Sequence, residues 1–336
     1  MDKILLGHGS GGRLSHALIR ENILHYLGNP TLNQLGDAAL LKLDKGNYAF
    51  TTDSYVVKPL FFPGGDIGKL AVYGTVNDLS VMGAKPLYIS LAFILEEGLG
   101  LEVFRKVLQS IKEAAEICKV KVVTGDTKVV ERGASDGMFI NTSGIGKLMF
   151  RGRRTEDSGR IKVGDSIIVS GDIADHGIAV LIAREEFGIK SHIKSDCAPL
   201  WDMISKLQKY DTSIRFMRDP TRGGVASTLN EVVGGKDYGV ELFEAKIPIK
   251  EDVRGACELL GFDPLYVANE GKVVIIVHKS VSAQVLKEIK KHLLGAKADI
   301  IGEVTASNKG KVTLRTMVGG SRIVDMLSGE QLPRIC

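Results

Sequence analysis

The chain has 336 residues, 44% apolar and 25% charged, with a net charge of only +4. That length suits two domains of roughly 150 residues each, and the balance is that of a globular protein rather than a disordered or collagen-like one. No run approaches the ~20 apolar residues of a membrane span, and the N-terminus lacks a signal-peptide layout, so a cytoplasmic protein is expected.

In chain order, a Gly-rich start, Gly7-His8-Gly9-Ser10-Gly11-Gly12-Arg13, precedes an apolar helical pattern. A strand follows over 49–52, ending at Asp53. Helical spacing covers 68–82, an Ile/Leu/Phe-rich strand covers 86–95, and 101–118 repeats Phe104, Val107, Leu108, Ile111, Ala115 and Cys118 on one helical face. Short strands are expected at 120–124 and 137–147. The charged stretch 151–160 reads as the domain boundary. Its Arg151, Arg153, Arg154 and Arg160 have few aromatics beside them, which favours a solvated linker over a nucleic-acid surface. Beyond it come a strand at 166–170, a helix at 177–186, a helix within 221–233 and another at 253–260. A strand at 272–278, a helix at 281–293 and strands at 300–304 and 311–315 complete the pattern. From Gly319 onward, Gly-Gly, Ser-Gly and Pro break it, and the end reads as an arm. The expected domains are therefore 1–150 and 151–318, with a tail at 319–336. Strands and helices alternate unevenly, which favours an α+β class over a doubly wound sheet. Neither a G-x-G-x-x-G after a strand nor a P-loop is present.

The glycines Gly9, Gly11 and Gly12, with Ser10, let backbone N–H groups approach an anion, so the start is either a phosphate cradle or a flexible terminus. Five aspartates stand where strand-to-loop junctions are expected: Asp37, Asp53, Asp78, Asp126 and Asp219. Together with a Gly-rich loop they suit a magnesium–nucleotide complex; singly, each also suits a helix cap or a turn. Lys128 stands two positions after Asp126, on the same side of an extended chain. Glu270 lies in Val-Ala-Asn-Glu-Gly-Lys between apolar runs. Either is a surface charge or, if buried, a proton-transfer group. His176 opens a helix and reads as a capping or packing residue. The four cysteines include no Cys-x-x-Cys pair, which argues against a zinc site or a disulfide framework. Cys118 and Cys257 fall on apolar helical faces. Cys336 is the last residue, and an exposed terminal thiol is a liability unless it is used; it reads as a swinging attachment point. Gly319-Gly320 and Ser328-Gly329 offer hinges, and the seven steps from Gly329 to Cys336 reach at most about 25 Å.

Several segments together resemble the HypE family, the carbamoyl dehydratases of nickel–iron hydrogenase maturation. The carriers are 8–12, Thr52-Asp53-Ser54-Tyr55, 61–69, Val123-Thr124-Gly125-Asp126-Thr127-Lys128, Asp219-Pro220-Thr221-Arg222-Gly223-Gly224, Ala268-Asn269-Glu270-Gly271-Lys272 and Pro333-Arg334-Ile335-Cys336. The Gly-rich loop and the aspartates are shared with the wider aminoimidazole ribonucleotide synthetase and selenophosphate synthetase superfamily. The resemblance implies that superfamily's two-domain α+β fold, a homodimer through the N-terminal domains and ATP near their interface. It assigns ATP contacts to Gly9, Ser10, Gly11, Gly12, Asp53, Asp78, Asp126 and Asp219, and Mg²⁺ to Asp37, Asp53, Asp78 and Asp126. Ala38 stands where some relatives carry a second acid beside Asp37. The implied reaction is ATP-dependent dehydration of a carbamoyl group loaded on Cys336 by the carbamoyltransferase HypF, with Glu270 and Lys128 moving protons. The cyano group then passes to a HypC–HypD complex. Two alternatives remain at this level: another superfamily enzyme such as a selenophosphate synthetase, and a non-catalytic carrier that only presents Cys336.

Overall fold

The computed structural model describes residues 3–10, 12–36, 38–150, 160–184 and 191–327. The first half opens with α1 (Arg13–Leu18) and α2 (Leu24–Leu27), joined by a π-helical turn. It continues through β1 (Tyr48–Tyr55), the short β2 (Phe61–Phe62) and β3 (Gly65–Asp66), α3 (Ile67–Val81), β4 (Ala84–Glu96), α4 (Leu101–Cys118), β5 (Lys121–Val130) and β6 (Met138–Leu148). Four of these strands form a sheet in the order β1-β6-β4-β5, antiparallel except for the β4–β5 pair. Alternation sorts the faces: Met138, Ile140 and Thr142 of β6, and Ile89, Leu91 and Phe93 of β4, point to the helix-covered side. There α4 lays down the predicted stripe, with Phe104 meeting Phe93 edge to face at 5.3 Å.

The second half has β7 (Ser166–Val169), α5 (Asp175–Ala183), α6 (Trp201–Ser205), β8 (Ile214–Arg218), α7 (Gly224–Val233), β9 (Gly239–Phe243) and α8 (Glu251–Leu260). It ends with β10 (Val274–Val277), α9 (Ser282–Ile289), β11 (Asp299–Thr305), β12 (Val312–Arg315) and β13 (Ser321–Val324). Its sheet runs β13-β12-β9-β11-β7-β10-β8. Successive residues feed separate cores on its two faces: Ile167, Val274 and Ile276 pack with Val225 and Leu229, whereas Ile168 and Ile275 pack with Leu200 and Ile204. Two half-domains with strands and helices segregated in this way make an α+β protein, as expected.

Helix α3 joins the halves. Asp66 caps it, its side chain accepting from the Gly68 and Lys69 N–H groups at 2.8 and 3.1 Å, and Gly83 ends it at φ +75°. It is buried nearly all round, including Thr75, Asn77 and Ser80, because one side lies on the first sheet and the other meets α6 and β8. Asn77 Nδ2 donates to the carbonyls of Ala198 (3.0 Å) and Glu270 (2.9 Å), and its Oδ1 accepts from the Leu200 N–H at 2.8 Å.

Four expectations need correction. Asp53 and Asp126 lie inside strands rather than at their ends, because β1 pairs with β6 through Tyr55 and β5 with β4 through Val130; the ladder overrides small, polar residues. Asp78 sits within α3. Asp219 follows β8 directly but does not cap α7, whose N-cap is Gly223 at φ +70°. The arm expected from Gly319 begins instead with β13, whose Val324 is buried and pairs with Val312. The residues 151–159 and 328–336 lie outside the described residues.

Asn77→Ala would leave several buried backbone groups unpaired, a loss of about 3 kcal/mol. A urea melt should show that loss, with Asn77→Asp recovering only part of it.

Candidate functional site

The two halves bring four acids together where they meet, Asp53 and Asp78 from the first and Asp219 and Glu270 from the second. Asp53 stands on β1 on the same face as Thr51 and Tyr55, turned toward α3, and the Thr51 hydroxyl donates to Asp78 Oδ2 at 2.8 Å. Asp219 comes from the other half, at the end of β8, and Glu270 from the loop before β10; both are buried. Their charges act on one another. Burial, with Asp53 adding, pushes Asp78 up to about 6 against the Thr51 bond and the positive Arg218 and Arg222. Burial, then Asp78 and Asp53, pushes Asp219 up to about 7. Burial holds Glu270 well above the carboxylate range, and Asp219, Asp196, Asp53 and Asp78 push the same way. A cleft of about 620 Å³ opens here, lined by Thr51, Asp78, Arg218 and Asp219.

The Glu270 backbone is clamped from both halves. Its C=O accepts from Asn77 and its N–H donates to Asp196 Oδ1 at 3.1 Å. Asp196 Oδ2 pairs with the buried Lys272 ammonium at 3.0 Å. Burial raises the Asp196 carboxyl, but Lys272 and His176 outweigh it and hold it below its ordinary value. A Cβ on Gly271 would overlap the Asp196 carbonyl, so only glycine lets the two loops close on each other. His176 is buried, with Nδ1 2.8 Å from Ser195 Oγ and its ring edge-on to Phe62, a packing role.

Asp126 and Lys128 stand elsewhere. They share the open face of the first sheet, in the rows of Ala92 and Ile94, with Nζ 3.2 Å from the carboxylate and both side chains more than half exposed. The strand order puts β5 on the opposite edge from β1, three strand spacings or about 14 Å away. One chain therefore does not bring Lys128 to Glu270, nor Asp126 to Asp53. The Gly-rich loop does meet β5: a Cβ on Gly9 would stand 2.5 Å from the Val129 nitrogen. Beside it lies a hollow of about 200 Å³ lined by Leu27, Leu91, Phe93 and Val122 and bordered by Gly9, Gly125 and Asp126. Ser10 turns its hydroxyl to the Gly7 carbonyl, and Gly12 begins α1. Gly11, Asp37 and Cys336 lie outside the described residues.

Among the described residues, no group of three His, Cys, Asp or Glu side chains could hold a metal ion unaided. The donor chemistry nevertheless fits Mg²⁺, which takes one or two carboxylates and completes its shell with water and phosphate oxygens. Crowded carboxylates with raised pKa values are groups that a hard dication relieves. The described thiols are poor nucleophiles. Burial pushes Cys118 to about 12 and Cys257 to about 11, and holds Cys197 well above its ordinary value. Residue types and spacing pointed to Asp53, Asp78, Asp219 and Glu270. Asp196 and Asn77 carried no signal, and Lys272 only its place two residues after Glu270.

Stability should carry the mark of this cluster. Asp78 and Asp219 keep protons in the folded chain up to about 6 and 7, whereas the unfolded chain releases them near 3.8. The unfolded state thus binds fewer protons between these values, and their contribution to stability falls as pH rises through that window. In magnesium-free buffer, the Tm difference between wild type and Asp78→Asn should move in the variant's favour from about pH 5 to about pH 8. Added MgCl₂ should shrink it. A difference that is flat with pH would separate Asp78 from the cluster.

The chain matches the AIR synthase related protein, N-terminal domain, over residues 35–148 and its C-terminal domain over 162–315. It is 47% identical to the carbamoyl dehydratase HypE of Bradyrhizobium diazoefficiens over 98% of this chain and 95% of that protein. Among solved structures, the hydrogenase maturation protein HypE in complex with ATP is 46% identical, covers 99% of both chains and has a TM-score of 0.93. A HypE chain from a HypE–HypF complex is 50% identical, covering 93% of this chain and all of that one, with a TM-score of 0.80. With two AIR synthase-type domains in tandem and this identity along its whole length, the chain belongs to the HypE family of carbamoyl dehydratases.

Proposed function

We propose that this chain dehydrates an S-carbamoyl group on its own Cys336 to a thiocyanate, using ATP, and so supplies the cyanide ligand for the iron of a nickel–iron hydrogenase. The observation that carries this reading is the clamped, buried Glu270 among Asp53, Asp78 and Asp219, in a cleft beside which the described chain ends: Leu327 Cδ2 lies 3.9 Å from where a Gly223 Cβ would be. Nine further residues end in the thiol. With Cys118, Cys197 and Cys257 held protonated by burial, Cys336 is the sulfur left for chemistry.

HypF is the partner that loads the carbamoyl group, in line with the solved HypE–HypF complex, and a HypC–HypD complex accepts the cyano group. ATP supplies the phosphoryl group that lets the carbamoyl oxygen depart as phosphate, and Mg²⁺ offsets the charge gathered on it. The Gly9–Gly12 loop cradles the phosphates, and the hollow between α2 and the sheet takes the base. Asp53 and Asp78 hold the ion, with Asp37 and Asp126 completing its environment. The carbamoyl nitrogen gives up two protons as the C–O bond breaks and the C≡N bond forms. Glu270 accepts one of them, because a carboxylate desolvated among acids is a stronger base once ionised, and the departing phosphate takes the other. Lys128 of a second copy joins Glu270 in moving these protons.

A homodimer through the first sheet fits this assignment. Its open face leaves Phe50 70% and Ile94 42% exposed, apolar surface that a second copy would cover, and it carries Asp126 and Lys128. Dimerisation would bring these residues against a second copy. No helix of the described residues is long and apolar enough to cross a membrane.

Two experiments follow. After loading by HypF, Mg-ATP should remove one water from the C-terminal peptide, read by intact mass. Glu270→Gln should load and bind ATP but form thiocyanate at least ~10²-fold more slowly. A loaded wild type that keeps its mass with ATP would leave only the carrier reading. Phe50→Glu should convert the dimer to a monomer in light scattering, and an unchanged dimer would place the interface elsewhere.

A further inference from the structure

Lys272 is a buried cation, its side chain 8% exposed, and it faces Asp196 at 2%. Taking two such charges out of water is offset only when their geometry is close and each remaining lone pair and proton finds a partner. Here that is not so. Nζ stands 3.0 Å from Asp196 Oδ2, yet among the described residues no donor is aligned on that oxygen as a hydrogen bond. An ammonium has three protons to place, and its contact with the Gly271 carbonyl is long, at 3.5 Å. Asp175 lies within its field but is engaged by Lys250, 2.6 Å from Oδ2, and Asp175 Oδ1 also has no partner among the described residues. A pair satisfied this incompletely adds little to stability. A neutral pair of the same shape would hold the fold as well or better.

What the pair adds is placement. Asp196 meets three successive residues. Its Oδ1 accepts from the Glu270 N–H at 3.1 Å, its backbone carbonyl lies 1.9 Å from where a Gly271 Cβ would be, and its Oδ2 faces Lys272. The Lys272 stem runs past Gly171, where a Cβ would stand 3.2 Å from Cε, so the ammonium has a defined approach. The loop that bears Asp196 is held on either side. The Ser195 N–H donates to the Pro63 carbonyl at 2.8 Å, and the Cys197 N–H donates to Ser195 Oγ at 3.0 Å. Asp196 is thus oriented twice, its backbone by the loop and its carboxylate by Lys272. A carboxylate also accepts a backbone N–H more strongly than a neutral amide does.

We propose that Lys272, acting through Asp196, is a positioning residue for Glu270, and that the pair serves the dehydration rather than the stability of the fold. This rests on the reading above, in which Glu270 takes a proton from the carbamoyl nitrogen. Misplacing a reacting group by about 1 Å can slow a reaction by about a hundredfold, a shift that a packed fold absorbs at little cost.

The variant Asp196→Asn/Lys272→Met carries the test. It keeps the shape of the pair and an acceptor for the Glu270 N–H but removes both charges. It is compared with wild type, Lys272→Met, Glu270→Gln and the triple variant. Each is brought to full S-carbamoylation, verified by intact mass, before saturating Mg-ATP is added. The neutral pair should melt at the wild-type temperature or above it, bind ATP with wild-type affinity by calorimetry, and form thiocyanate about tenfold or more slowly. Lys272→Met alone strands the Asp196 charge and should melt lower by about 5 °C or more. Adding the neutral pair to Glu270→Gln should slow that variant no further. A neutral pair that reacts at the wild-type rate would overturn the proposal. So would a neutral pair that melts below wild type, or a loss that multiplies with that of Glu270→Gln. Weakened ATP binding in the neutral pair would assign Lys272 and Asp196 to the nucleotide site instead. A wild type that forms no thiocyanate, or Glu270→Gln at the wild-type rate, would remove the reading of the reaction itself, and the pair's part in it too.

Discussion

Asn77 lies in the middle of a helix buried on nearly every side, where an unsatisfied carboxamide would be costly. Its three hydrogen bonds reach the backbone of Ala198, Leu200 and Glu270, so one residue of the first half fixes two loops of the second. Much of the site depends on that constraint. With α3 held there, Asp78 on the same helix faces Asp219, and Glu270 is fixed at its own carbonyl rather than by its side chain.

The electrostatics follow from the packing. Sequestering acids from both halves in one cleft keeps protons on groups that would lose them in water. Such a cluster is relieved by positive charge. A buried ion pair nearby, Lys272 with Asp196, is spent on holding the Glu270 backbone. The cations that line the solvent side, Arg218 and Arg222, remain at the mouth. The site therefore has an acidic floor and a basic rim.

Separation is as informative as convergence. The Gly-rich loop, Asp126 and Lys128 gather on β5, and Asp53 stands on β1, with two strands between them. Within one chain the two groups of residues therefore stay apart.

Much of this was legible in the chain itself. The stripe from Phe104 to Cys118 gave α4 its residues, because a helix with one buried face needs a 3.6-residue period. The motifs around Asp53, Asp126, Asp219 and Glu270, with the terminal Pro-Arg-Ile-Cys, led to the HypE family, and the whole-length identity bears that out. Local pattern determined element type and residue chemistry. It did not determine strand length: Asp53 and Asp126 looked like strand ends, but the ladder to β6 and β4 runs on past both. Nor did it foresee β13, whose strand status comes from pairing with β12 rather than from the composition of Ser321–Val324. Which acids meet, which edge Lys128 occupies, and that Asn77 and Asp196 clamp Glu270 were decided by tertiary structure alone, because each is a contact between residues tens to nearly two hundred positions apart. Hydrogen bonds and charge interactions at that separation leave no periodicity in the sequence, only geometry in the folded chain.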